Sequence, residues 1–221
     1  MFDNIESILT GIEKMKGDGE MKKTSFFAIL LTFVVLLCAC GNGGGKATEG
    51  LEFTAKNGTY YVTGYHGEDV NVIIPDTYND IPVTVIAEEA FAESDIQTIK
   101  VGGNVEVIEQ AAFYHASMLR EVELPASLRV LSEDSWLDGA FVGCTSLEKV
   151  TFESGCQLEE IGCFAFFMCE NLRKINIPDT VKEIGCGAFM HCSSLTELTI
   201  PADTRVEDRV FEGCPAQITY K

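Results

Sequence analysis

From Ile96 onward the chain repeats one phrase: an apolar residue, two variable positions, an apolar residue, one polar position, an apolar residue. It reads Ile96-x-x-Ile99-x-Val101, Leu119-x-x-Val122-x-Leu124, Leu147-x-x-Val150-x-Phe152, Leu172-x-x-Ile175-x-Ile177 and Leu195-x-x-Leu198-x-Ile200. The last two apolar residues of each phrase alternate with polar ones, which is strand spacing, and Pro125, Pro178 and Pro201 stop three of the strands. Between the phrases an Ala-Phe pair returns at Ala90-Phe91, Ala112-Phe113, Ala140-Phe141, Ala165-Phe166 and Ala188-Phe189, with Val210-Phe211 as a weaker sixth copy. The phenylalanines are 22, 28, 25, 23 and 22 residues apart, so the base period is 22 to 23 with insertions before Phe141 and Phe166. Five residues ahead of each stands Ile86, Ile108, Trp136, Ile161, Ile184 or Val206.

Each unit is therefore one short strand plus a turn, and no single unit can bury its own apolar face. Stacking solves this by placing all the phenylalanines in one interior column and all the strands in one parallel sheet. The expected fold is a solenoid over 75–221, mainly β with short turns or helical segments, of about six units. Residues 51–74 read as an N-terminal cap, a hairpin of Tyr60–Tyr65 and Val70–Ile74 joined by His66-Gly67-Glu68-Asp69.

The fullest unit is Ile177-Pro178-x-x-Val181-x-x-Ile184-Gly185-x-x-Ala188-Phe189-x-x-Cys192-x-x-Leu195-x-x-Leu198-x-Ile200. It resembles the BspA-type leucine-rich repeat of bacterial cell-surface proteins, and the resemblance runs from about Tyr60 to Tyr220. It implies a right-handed leucine-rich-repeat array, carried by exported proteins that adhere or interact rather than catalyse.

Ahead of the repeats the pattern changes. Met21-Lys22-Lys23 gives a positive start, Phe26 to Leu37 is apolar except for Thr32, and Gly41-Asn42-Gly43-Gly44-Gly45 follows. A basic start and about a dozen apolar residues ending at small ones are the parts of a secretory signal. Leu37-Cys38-Ala39-Cys40 resembles the lipobox of bacterial lipoproteins, which implies cleavage before Cys40, lipidation of Cys40 and a membrane anchor. Residues 21–39 are then the signal and 40–50 a Gly-rich tether. The stretch 1–20 is acidic, foreign to a signal, and reads as an upstream extension. Lys16-Gly17-Asp18 can be encoded by a purine-rich ribosome-binding sequence, which would start translation at Met21.

A formal net charge of -18 repels phosphate backbones, so nucleic acid is not an expected partner. The outward strand positions depart from this balance. They carry five cations (Lys100, Arg120, Lys149, Arg173, Lys174) and four anions (Glu121, Glu123, Glu148, Glu197), although 12 Lys and Arg face 29 Asp and Glu from Cys40 onward. Cross-strand pairing of Arg120 with Glu148 and Glu121 with Lys149 would account for the mixture. The sharper reading is a binding patch of Arg120, Lys149, Arg173 and Lys174 for an extracellular protein or glycan, on a monomeric module. Cys144, Cys169, Cys192 and Cys214 lie three after a repeat phenylalanine and read as inert core thiols. Cys163 and Cys186, three before it, form a second column expected to be exposed, where neighbouring turns at strand spacing would permit a disulfide. His66, His115 and His191 match no hydrolase or metal motif, and no cofactor or metal ion is expected.

Overall fold

The computed structural model describes residues 47–132 and 139–221. The upstream extension, the signal, Cys40, and the Asp134, Trp136 and Asp138 insertion lie outside the described residues. The first elements are β1 (Leu51–Lys56) and β2 (Thr59–Tyr65), an antiparallel pair closed by Asn57-Gly58 at φ 54° and 82°. Two successive left-handed residues make the two-residue turn whose twist matches a hairpin, and Asn-Gly is its preferred filling. The cap is thus a hairpin, but not of the two strands expected. β3 (Asn71–Ile73) leaves β2 altogether and pairs in parallel with β6 (Thr98–Lys100), while His66 to Asp69 carry the chain from one sheet to the other.

Every following unit contributes two strands. One of the two is the predicted one: β8 (Glu121–Leu124), β10 (Lys149–Phe152) and β12 (Lys174–Ile175) extend β3 and β6 into a five-stranded parallel sheet. β14 (Glu197–Ile200) and β16 (Gln217–Tyr220) form a separate parallel pair, so the single sheet expected is interrupted between β12 and β14. On β8 the exposed Glu121 and Glu123 alternate with buried Val122 and Leu124, as the spacing predicts.

The second set of strands came unannounced because most have two residues, too few for any alternation to show. β7 (Val107–Ile108), β9 (Val130–Leu131), β11 (Glu160–Ile161), β13 (Glu183–Ile184) and β15 (Arg205–Val206) stack in parallel. They continue from β5 (Ile81–Ile86), which pairs with β2 on one side and, antiparallel, with β4 (Thr77–Tyr78). Here one sequence register needs correction. Leu131, fully buried in β9, occupies the place assigned to Trp136, so the insertion follows this strand rather than preceding it.

Between the two sheets lies the phenylalanine column. Phe91, Phe113, Phe141, Phe166 and Phe189 are at most 1% exposed, and successive rings stack with centroids 4.7 to 5.4 Å apart. Tyr65 closes one end of the column at 5.9 Å from Phe91, and half-buried Phe211 the other at 5.9 Å from Phe189. Beside each ring the backbone turns sharply. Glu93, His115, Met168 and His191, each two residues after the phenylalanine, take left-handed φ of 52° to 61°, and so does Gly143 at 71°. Such a conformation costs a non-glycine residue about 1 to 2 kcal/mol. What holds it is a hydrogen bond to the next unit: the amides of Glu93, His115 and His191 donate to the carbonyls of Tyr114, Val142 and Glu212 at 2.7 to 2.8 Å.

Candidate functional site

The five-stranded sheet turns one side to the phenylalanine column and the other to solvent. Because its strands are parallel and in register, equivalent residues of successive units stand side by side, about 4.8 Å apart. One outward row runs Asn71, Thr98, Glu121, Lys149, Lys174, and another runs Lys100, Glu123, Thr151. In the second row Lys100 pairs with Glu123 at 3.6 Å, and in the first Lys149 pairs with Glu121 at 3.4 Å. The expected Glu121–Lys149 pairing is therefore present. The Arg120–Glu148 one is not: the Glu148 amide donates to the Arg120 carbonyl at 2.8 Å, but their side chains form no ion pair.

That leaves the charges uneven. Lys149 has Lys174 as its register partner on the side away from Glu121. Among the described residues Arg120, Arg173 and Lys174 make no ion pair, and all three are exposed. Like charges directly opposite on neighbouring strands are unfavourable. Lys149 and Lys174 are thus adjacent on this face, and the exposed Arg120 and Arg173 immediately precede β8 and β12.

Next to Lys174 the same face carries a feature that sequence reasoning missed. The Asn176 side chain takes the place of backbone ladder bonds to β10, accepting from the Phe152 amide and donating to the Phe152 carbonyl, both at 3.1 Å. β12 ends at Ile175 in consequence. Across the gap to the last two strands reaches Lys221, whose Nζ donates to the Ile177 carbonyl at 3.3 Å and pairs with Asp179. A groove of about 410 Å³ opens here, lined among others by Phe152, Gly155, Asn176, Pro178 and Lys221. An asparagine where other units have Glu123, Thr151 and Thr199 was the only sign of it.

The cysteines divide into the two expected columns, with two differences in burial. Cys144, Cys169 and Cys192 are fully buried and their thiols donate to the Phe113, Phe141 and Phe166 carbonyls of the preceding unit at 3.1 to 3.2 Å. Burial pushes all three thiols far above the ordinary range, so they stay protonated and unreactive. Cys214, in the end unit, is half-buried and donates to Leu195 instead. Cys163 and Cys186 are also half-buried rather than exposed, with sulfur atoms 2.8 Å apart. His191 packs against the Phe167 ring and Gly213, away from the Cys192 thiol bond to Phe166.

The comparisons with known proteins speak to this arrangement as a whole. The profile of the BspA type leucine-rich repeat region matches residues 70–138 and 137–220, in six copies. The chain belongs to the BspA-type leucine-rich-repeat family. Among solved structures, this BspA-type protein is similar to a leucine-rich-repeat protein of Treponema pallidum, at 29% identity and a TM-score of 0.69, over 76% of this chain and 78% of that one. It also superposes on a leucine-rich cell surface protein of Faecalibacterium prausnitzii at 23% identity and a TM-score of 0.51, over 81% of this chain and 55% of that one. A leucine-rich-repeat protein of Eubacterium ventriosum gives 22% identity and a TM-score of 0.50. The last two likenesses show the fold alone. None of the curated proteins matches the chain.

Proposed function

We propose that this BspA-type protein is a lipid-anchored cell-surface binding module whose outward strand face engages an acidic extracellular glycan or protein. The observation that carries the reading is the break in charge pairing on that face. Lys149 and Lys174 stand side by side, Glu121 flanks only Lys149, and among the described residues Arg120 and Arg173 make no ion pair. An anionic ligand laid across the strands would supply the missing charge. The surrounding excess of 29 acids over 12 bases from Cys40 onward would keep such a ligand from settling elsewhere.

The family to which the chain belongs supports a binding module over an enzyme. A purely structural envelope protein remains the second reading, and it needs no ligand for the lysine pair. Replacing Lys149, Arg173 and Lys174 together by Glu separates them. The triple variant keeps its fold, because exposed substitutions cost little, and loses binding to immobilised acidic glycans and matrix proteins. The loss is largest at low salt, where screening over about 10 Å is weakest. Undiminished binding to every ligand that the parent retains would refute the strand face as the site.

A further inference from the structure

On the side of the solenoid away from the strand face, the turns of the units built on Phe166 and Phe189 approach closely. A Cβ on Gly185 would lie 2.6 Å from the Cys163 nitrogen, so only glycine fits there. Backbone hydrogen bonds fix the register on both sides of this contact: Gly185 donates to the Ile161 carbonyl at 2.8 Å, and Phe164 to the Cys186 carbonyl at 2.9 Å. Cys163 and Cys186 sit between those two bonds. Their sulfurs are 2.8 Å apart, closer than the roughly 3.5 Å at which unbonded heavy atoms rest.

We propose that Cys163 and Cys186 close a disulfide that clasps these two units together. They are the same two units whose strands β12 and β14 are not hydrogen-bonded on the opposite side. Everywhere else among β3, β6, β8, β10 and β12 the backbone ladder joins neighbouring units at the strand face. The bridge therefore links covalently, from the far side, the two units whose strand-face ladder is missing.

The oxidant is an exchangeable disulfide, of the glutathione or dithiol-oxidoreductase class. One cysteine thiolate attacks a donor sulfur and releases the first donor thiolate. The second cysteine, deprotonated, then attacks the resulting mixed disulfide and releases the other. The two protein thiols lose two electrons and two protons, and the donor disulfide becomes two thiols. In the cell this oxidant is what an exported chain meets, so that part rests on the exported reading. Burial, and then the Cys186 sulfur beside it, push the Cys163 thiol up to about 12, which makes closure slow at neutral pH but does not oppose it. Glu207 also lies within reach of both sulfurs, so a metal ion is the rival occupant. Two thiolates on one tetrahedral zinc would stand about 3.8 Å apart, given bonds of ~2.3 Å, and the Glu207 carboxylate already accepts from Arg205 at 2.9 Å.

The test uses the full chain in non-ionic detergent, reduced, freed of reductant, and then exposed in its native state to oxidised glutathione. After alkylation and unreduced tryptic digestion, peptides 150–173 and 183–205 should appear joined, with loss of alkylation at both Cys163 and Cys186. The joined pair should persist in Cys156→Ser, Cys169→Ser and Cys192→Ser and vanish in Cys163→Ser and Cys186→Ser. The β14 amides should exchange more slowly in the bridged parent than in Cys163→Ser. Full alkylation of both thiols after exchange overturns the proposal. So does protection that a chelator abolishes without any joined peptide, which would make the site metal-binding, and equal β14 exchange overturns the clasp. A bridge that forms in vitro while the chain trapped from cells carries both thiols free upholds the disulfide and refutes the exported reading instead.

Discussion

Removing one ring from the middle of the phenylalanine column should cost far more than removing the ring at its end. Phe166 is fully buried, with Phe141 at 5.3 Å on one side and Phe189 at 5.4 Å on the other, both nearly parallel to it. Truncation of such a side chain costs about 3 to 5 kcal/mol, of which the two stacked pairs supply ~0.5 to 1.5 kcal/mol each. Phe211 is half-buried and stacks on one neighbour only, at the longer distance of 5.9 Å. With roughly half the burial and one pair, Phe211→Ala should cost about 1 to 2 kcal/mol. Urea denaturation of the two variants beside the parent measures both, with the slope checked as well as the midpoint. The stacked array adds a second signature: a weakened middle interface lets the two halves unfold separately. Far-ultraviolet circular dichroism and the fluorescence of Trp136, the chain's one tryptophan, should then cease to coincide in Phe166→Ala and stay together in Phe211→Ala. Equal costs for the two variants, or less than about 1 kcal/mol for Phe166→Ala, would refute the interior column as the main source of stability.

The left-handed turns give an opposite sign. Exposed Glu93 sits at φ 56°, so Glu93→Gly should gain up to ~1 kcal/mol in urea denaturation and the β-branched Glu93→Val lose ~1 to 2, whereas equal midpoints would remove strain from the account. Gly143→Ala should lose ~1 to 3 kcal/mol, because a Cβ there would meet the His115 ring at 2.8 Å; an unchanged midpoint would mean that the imidazole moves freely. Asn176→Leu removes both side-chain bonds to Phe152 and should cost ~1 to 2 kcal/mol with faster amide exchange at Phe152, and unchanged exchange there would show that the wedge is not what protects it. Cys40→Ala should end acyl labelling and release the protein from membranes, and retained labelling would defeat the lipoprotein reading.

The parts legible in the sequence are those that every unit repeats. A phenylalanine every 22 to 23 residues and an alternating triplet after it specify an interior column and a strand, because no other register buries both. What escaped is what occurs once or leaves no periodic mark. The hairpin is announced by Asn57-Gly58, a turn signal that lies ahead of Tyr60–Tyr65 rather than between it and Val70–Ile74. A constant offset of five points to Trp136, but it fails where an insertion falls between the short strand and the phenylalanine, and Leu131 holds the register instead. Nothing marks Glu93, Met168 or His191 as left-handed, since their conformation is imposed by the bond to the next unit. Asn176 replaces backbone bonds with side-chain bonds, and a polar residue at an outward strand position looks the same whichever it does.

The candidate site was visible as a list of four cations but not as a site, and the reason lies in how a parallel stack handles charge. In-register stacking sets each side chain against its own equivalents, so a repeat that kept one charge at one position would repel itself along the whole solenoid. The chain avoids this by changing sign from unit to unit. Lys100 faces Glu123, Glu121 faces Lys149, and in the other sheet the Glu160–Glu183 contact is followed by Arg205, which pairs with Glu183 at 3.1 Å. The Lys149–Lys174 contact on the strand face is likewise relieved on one flank, through Glu121 beside Lys149, and is open on the other, where β14 is detached. In the proposed binding mode, a negative group arriving from outside occupies the open flank beside Lys174. Lys174→Glu alone would restore the alternation. It should therefore stabilise the free protein slightly, by ~0.2 to 1 kcal/mol, while weakening acidic ligands, and a variant that loses stability together with binding would refute this explanation.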